Sequence, residues 1–327
     1  MGTKMDTSKL IKKPGRNIAL GKSFGTFIVF IVLFVFFSLI SETFLTANNL
    51  LNILLQVATM MIVSVGATWV IISGCIDLSI GANFAFSGVA AALLVKDMGL
   101  PIPLAILCSV LFGGVIGLIN GTIVTKVKIP PLLTTIGTST AIRGLAYIIC
   151  GGKTVFGLPD DYSTLGQGYI FGIFPIPVLI AIIIVAVFLV LQAKSAFVTH
   201  TYAVGNNPNS AFLSGINTDR HILSLYLIVG LLAGMAAFIN SSRMGVGLAT
   251  TGDTIDFDIV TAVVLGGTNI MGGSGNIQGS ILGCLIIGVL ANGMQIMNMQ
   301  SFTQQLAKGV ILLVAIGAAT IRTKKML

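Results

Sequence analysis

An all-α polytopic membrane protein of about ten transmembrane helices is the fold class this sequence predicts, from its apolar excess, its confined charges and the pattern of its longest apolar runs. Hydrophobic residues fill 55% of the 327 positions and charged residues 9%, whereas a soluble domain carries roughly 25% charged residues to cover its surface. No Asp, Glu, Lys or Arg occurs between Glu42 and Asp77, or between Asp258 and Lys308. A crossing needs about 20 apolar residues, so each interval holds more than one. Lipid offers the backbone no hydrogen-bond partners, which leaves helices or a closed barrel. Barrel strands alternate apolar and polar residues; Phe27–Ile40 and Ile176–Leu191 are apolar on every side. The spans are therefore helical.

A basic segment, residues 1–23, comes first, with Lys4, Lys9, Lys12, Lys13, Arg16 and Lys22. Its length, and the absence of a small-residue cleavage pattern after Phe24–Ile40, argue against a cleaved signal. A single transmembrane domain follows over residues 24–321, with spans expected near 24–39, 50–73, 78–95, 101–124, 131–150, 173–192, 222–240, 255–271, 277–294 and 302–321. The tail, 322–327, carries Arg322, Lys324 and Lys325. Ten crossings place both termini and thirteen basic residues on one side, against Lys96, Lys153 and Arg243 on the other. Basic loops mark the cytoplasm, so the net charge of +8 reads as a cytoplasmic face against anionic lipid, with no nucleic acid as partner. Residues 255–271 are the least regular span, with Asp256 and Asp258 at the start and Gly-Gly pairs at the end; two short helices or a re-entrant segment fit as well. Residues 151–172, with Asp160 and Asp161, fall outside. Residues 194–221 fall inside and form the one cytoplasmic loop long enough to fold by itself.

The four cysteines stand singly and the two histidines cluster with neither cysteine nor carboxylate, so no metal site is expected. Gly15–Ser23 imitates a phosphate-binding loop, but its first glycine lies one residue too far from Gly21-Lys22-Ser23 and no strand precedes it. The 39 glycines point to closely packed helices, since lipid supplies no hydrophobic drive for their association. Polar groups at membrane depth are costly and each is a candidate. Asp77, Ser79 and Asn83 sit at a Gly-rich junction, where Asp77 either caps the next helix or lines a path. Asn240, Asn269 and Asn292 either line a polar route for a neutral hydroxylated solute or bond helices together, as do Asn120 and Gln295. Arg143, in a Thr/Ser-rich span, is expected near its outer end or paired with a carboxylate. The segments Gly74–Gly81 and Gly266–Gly273 share the pattern Gly-x-x-[Asp/Asn]-[Leu/Ile]-x-x-Gly, an echo of the kind that transporters built from repeats display. No Asp/Glu/His relay, Arg-rich sensor, selectivity filter or nucleophile–base arrangement is present. The residues offer a path without an energy source.

The stretch Tyr202-Ala-Val-Gly205-Asn206-Asn207-Pro-Asn-Ser-Ala211-Phe-Leu213-Ser214-Gly215-Ile216 resembles the coupling loop of bacterial ABC importer permeases of the ribose type, whose sister group carries branched-chain amino acids. Three further stretches agree in order: Phe44–Ile53, Gly74-Cys75-Ile76-Asp77-Leu78-Ser79-Ile80-Gly81, and the Gly-rich run from Ala262 through Gly266, Gly267 and Gly273 to Gly275. The resemblance spans about residues 44–315. It implies the ten-span type II importer arrangement, a monosaccharide such as a pentose or hexose moved inward across the bacterial inner membrane, and no catalysis by this chain. It also implies partners: a second permease copy or paralogue, an ABC ATPase dimer holding ATP and Mg, and a solute-binding protein. No cofactor is expected on this chain itself. Two positions depart from the family pattern. Cys75 replaces a glycine, and Val198-Thr199-His200 stands where a small residue, Gly and Arg are usual, leaving Lys194 and Arg220 to supply the basic docking contact. An ion-coupled carrier using Asp77, Asp256 and Asp258, or a permease for a nucleoside or branched-chain amino acid, are the alternative readings.

Overall fold

The computed structural model describes residues 16–324, with side chains for 25–317. The lysines at 4–13, Lys325 and the side chains of Arg16, Lys22, Arg322 and Lys324 lie outside the described residues. The helices are α1 (Arg16–Ile40), α2 (Ala47–Ile72), α3 (Ile80–Met98), α4 (Ile102–Thr122), α5 (Pro131–Ile149), α6 (Thr164–Gln167), α7 (Ile176–Lys194), α8 (Ala196–Asn206), α9 (Pro208–Leu213), α10 (Thr218–Met244), α11 (Ile255–Leu265), α12 (Ile277–Ile296) and α13 (Ser301–Lys324). A π turn, Ile123–Val127, extends α4. Among the described residues, seven of these helices are long and apolar enough to cross a membrane: α2, α3, α4, α5, α7, α10 and α12. The outer two, α1 and α13, contribute the apolar stretches Gly25–Ile40 and Ser301–Gly317.

The eighth expected span, the least regular of the ten, proves to be broken. Residues 255–271 do not form one helix: α11 stops at Leu265 after 11 residues, about 16 Å at 1.5 Å per residue, which is half the hydrocarbon thickness. Gly266 ends it by packing backbone to backbone on Gly279 of α12. Gly267, at φ 92°, turns the chain as only glycine does readily. The other half of that crossing is made by the non-helical segment 245–254. Of the loop expected over 194–221, the last residues belong to α10, which begins at Thr218 with Asn217 as its cap.

The central helix is α10, flanked by α2, α3 and α4. Its contact with α4 runs through Gly113 and Gly117 against Gly230 and Gly234, where a Cβ on Gly117 would collide with the carbonyl of Tyr226. Small residues let the backbones approach this closely, and dispersion between them replaces the missing hydrophobic drive. The chain between α5 and α7 folds over one end of the bundle as α6 and a two-stranded ribbon, Tyr169–Ile170 with Phe174–Pro175. Tyr162 anchors it, fully buried against Phe238 with its hydroxyl 2.7 Å from Ser241 Oγ. Burial pushes that phenol up to about 12, so it stays neutral. The opposite end carries α8 and α9. The bundle thus has an α6 end and an α8 end.

Gly117→Leu should lower the unfolding temperature of the detergent-solubilised chain, by a loss of at least about 1–3 kcal/mol for overpacking. An unchanged melting curve would remove the backbone contact from this account.

Candidate functional site

Leaving α10 at Gly245, the chain turns back into the bundle without helical hydrogen bonds, and its carbonyls need other donors. Arg143 of α5 supplies them. Its Nη1 donates to the carbonyl oxygens of Ala249 (2.9 Å) and Thr251 (3.1 Å) and lies 2.8 Å from Asp253 Oδ1. Gly252 meets Gly81 of α3 backbone to backbone. One guanidinium and one pair of glycines therefore hold an unwound strand at membrane depth, and α11 starts from it inside the bundle.

A cavity of about 280 Å³ opens at that start. Gln56 and Thr59 of α2, Asn240 and Arg243 of α10, the segment Thr251–Thr254, and Asp258 with Lys308 line it. Lys308 Nζ of α13 lies 2.7 Å from Asp258 Oδ2, with side chains 21% and 11% exposed. A larger apolar crevice of about 710 Å³ continues between α11 and α13, past Phe257, Phe302 and Leu306. The charges on the cavity wall are mostly matched, Arg143 with Asp253 and Lys308 with Asp258.

At the α8 end a second constellation forms. The carbonyl of Ile72, the last of α2, accepts from the N–H of Gly273 at 2.8 Å. Gly205 of α8 packs on that same carbonyl, where any Cβ would collide. Tyr202 donates its hydroxyl to Gly275 O (2.7 Å), and Asn206 donates its amide to Gly273 O (3.2 Å). Burial raises the Tyr202 phenol pKa, so it remains a donor. Beyond this seat, Asn207 caps α9 by accepting from Ser210 N–H (3.0 Å), with Pro208 opening the helix. Ala211 is buried, while Phe212 and Leu213 are 65% and 85% exposed. Ser214 closes the helix, Gly215 turns at φ 87°, and Ile216 N–H returns to Ala211 O. Lys194, His200 and Arg220 are exposed at the same end, and Val198 is buried.

Of the six residues singled out for a solute path, Asn240 is the one lining the cavity. Asp77 is buried and accepts from Ser79 through both its N–H (2.8 Å) and its hydroxyl (2.6 Å); Asn120 donates to the same hydroxyl at 2.7 Å. Asn83 reaches the carbonyls of Gly113 and Gly230. Asn292 pairs amide to amide with Asn49 at the α6 end. Asn269 accepts from Met271 N–H at 3.1 Å, the same Asx turn that Asp77 makes with Ser79. The two echoing segments also touch, Gly74 against Gly272. Gln56, Thr59, Arg243 and Lys308 escaped the sequence reading. Lys308 had one signal, as the lone charge closing a fifty-residue neutral stretch; Arg243 had none, because its position suggested an ordinary outer loop.

A helical membrane domain with a half-helix at a polar cavity, and a short surface helix seated on the ends of its core helices, defines a transport subunit. The family model described as branched-chain amino acid transport system / permease component matches residues 49–319, and the chain belongs to that family. It is 37% identical to the ribose import permease protein of Bacillus subtilis (strain 168) over 91% of both chains. The ribose import permease protein of Haemophilus influenzae (strain ATCC 51907 / DSM 11121 / KW20 / Rd) is 34% identical, over 97% of this chain and 100% of its own. The D-allose transport system permease protein of Escherichia coli (strain K12) is 32% identical over 96% of each. No solved structure matches the chain significantly.

Asp258→Asn should leave the Lys308 ammonium without its partner charge and lower stability on the order of 3 kcal/mol. The double replacement Asp258→Leu with Lys308→Leu should recover most of that loss in denaturant unfolding of the purified chain. Additive losses in the two single and the double variants would mean the pair does not act as a unit.

Proposed function

We propose that this chain is the permease subunit of an ABC importer that moves a monosaccharide inward, fed by a separate solute-binding protein and driven by a separate ATPase dimer that holds ATP and Mg. The observation that carries the reading is the seat of α8 on Ile72 and Gly273, with Phe212 and Leu213 of α9 facing outward. A motor that grips α9 pushes on the ends of α2 and α12 together, and through the short loop 266–276 on α11, whose other end lines the cavity. The relatives named for ribose and allose support the substrate class.

The α8 end is cytoplasmic on this reading, and so are both termini. Starting from that side, the crossings alternate through α1, α2, α3, α4, α5, α7, α10, the segment 245–265, α12 and α13. A second permease copy or paralogue completes the pathway. Ion coupling is the weaker reading on structural grounds: Asp258 already holds Lys308, the Asp77 carboxylate is engaged by Ser79, and Asp256 accepts from the N–H of Phe257 at 3.1 Å. A permease for a nucleoside or branched-chain amino acid would use the same machinery with a different solute.

Reconstitution tests the proposal directly. Proteoliposomes holding the full assembly should accumulate D-ribose or a related monosaccharide only with ATP and the binding protein. Uptake by this chain alone under a sodium or proton gradient would overturn it.

Gly215→Pro should uncouple transport from ATP hydrolysis without impairing membrane insertion, since proline fixes φ near −65° where the α9 turn needs φ 87° and an N–H donated to Phe212 O. Leu213→Asp should weaken association with the ATPase while leaving the melting temperature unchanged, because the side chain touches solvent. Normal ATP-driven uptake in both would place the motor elsewhere.

A further inference from the structure

The α6 side of the cavity carries hydrogen-bonding capacity that the fold does not use. Arg243 lines the cavity half-buried, and among the described residues its guanidinium has neither an ion-pair partner nor a side-chain hydrogen bond. The Gln56 amide, also half-buried on the wall, has no partner either. Asn240, one turn before Arg243 on α10, donates only to Met244 Sδ at 3.7 Å, which leaves its carbonyl oxygen free. Asn83, Asn49, Asn292, Arg143 and Lys308 each bond to protein, and the buried polar atoms left without a partner among the described residues, Trp69 Nε1, Asn120 Oδ1 and Thr268 Oγ1, stand singly and away from this cavity. Three polar side chains converging unpartnered on one cavity amount to a site prepared for something else.

We infer that Arg243, Asn240 and Gln56 form a solute-binding site inside each permease copy, and that it takes a neutral polyhydroxylated molecule. The chemistry of the free groups selects that class. A planar guanidinium presents N–H donors in a fork that matches two neighbouring hydroxyl oxygens. The two amides add acceptors for the hydroxyl protons and further donors. No free carboxylate stands among the three to receive an ammonium, and the wall's Asp253 and Asp258 already hold cations; a zwitterionic amino acid would leave its ammonium unpaired. The cavity, at about 280 Å³, has room for a single small solute. The site touches Thr251–Thr254 at the start of α11, so an occupied site is in contact with the element that the α8 seat moves. The inference takes its solute class from the import reading and adds recognition by the permease itself.

The test uses the full chain in nanodiscs with a reporter thiol on the cavity wall. Cys75 and Cys284 are buried, and the half-buried Cys108 and Cys150 are replaced by serine. Ala291, which lines the cavity, is changed by Ala291→Cys, and its alkylation by a methanethiosulfonate reagent is timed with D-ribose, D-allose or L-leucine present in excess. One of the two sugars should slow the reaction several-fold while leucine leaves it unchanged. Adding Arg243→Gln should weaken that protection about tenfold, the worth of hydrogen bonds to a charged donor, with each rate taken relative to the same variant without sugar. Equal rates with and without either sugar, or protection by leucine as strong as by sugar, would overturn the site. Protection retained in full in Arg243→Gln would remove Arg243 from the site and overturn it too. Uptake by the complete wild-type assembly is scored separately: absence of monosaccharide import refutes the import reading, whereas normal import with no thiol protection refutes only the site.

Discussion

The carbonyl of Ile72 is where three distant parts of the chain meet. As the last residue of α2 it has no helical donor of its own, and it receives the N–H of Gly273 from the loop before α12 while Gly205 of α8 lies flat upon it. In water such a carbonyl would be hydrated at little cost. At the end of a buried helix it must find protein, and glycine at 205 lets another backbone come near enough to cover it. Trp69, one turn earlier, packs at a tilt against Phe188 and Phe197 at centroid distances of 4.6 and 6.1 Å, so α7 and the start of α8 meet the same helix end. On the import reading proposed above, a force applied to α9 would reach the core helices through this backbone contact and the Tyr202 and Asn206 bonds beside it.

The unwound segment 245–254 obeys the same constraint from the other side. A crossing that is half helix and half loop leaves carbonyls at a depth where water is absent, and such backbone survives only inside protein. Arg143 meets two of them and balances Asp253, which accounts for an arginine in an otherwise Thr- and Ser-rich helix. With α11 reduced to 11 residues, its first turn lies within the bundle beside a polar cavity, while its last turn ends near the α8 seat. The glycine-lined contact of α10 with α4 and the Asn83 bonds across it stand apart from this shorter element, which packs on α2, α12 and α13.

Much of the fold was legible in the sequence because lipid imposes a length and an apolarity on every regular span. The charge-free intervals and the runs of Ile, Val, Leu and Phe placed nine of the ten expected spans on helices within a few residues, apart from the added turns at the ends of α1, α10 and α13. Residues 255–271 read as a span because they are apolar enough; their helix ends at Gly266, and whether a Gly-Gly pair interrupts a helix or packs inside one depends on a neighbour, here Gly279. The turns of residues 207–216 are local as well: Asn207, Pro208 and Gly215 act within a few residues.

What composition and local pattern determined, then, was a helical membrane transport subunit with a structured loop between α7 and α10. The tertiary structure alone decided which polar residues face one another. An asparagine in an apolar helix looks the same whether it bonds to a carbonyl on the next helix, as Asn83 does, or faces a cavity, as Asn240 does. The distinction lies in partners on other helices, for Asn83 30 and 147 residues away in the chain, and sequence spacing carries no information about them. For the same reason Arg243, placed by its position in an outer loop, belongs to the wall of the cavity.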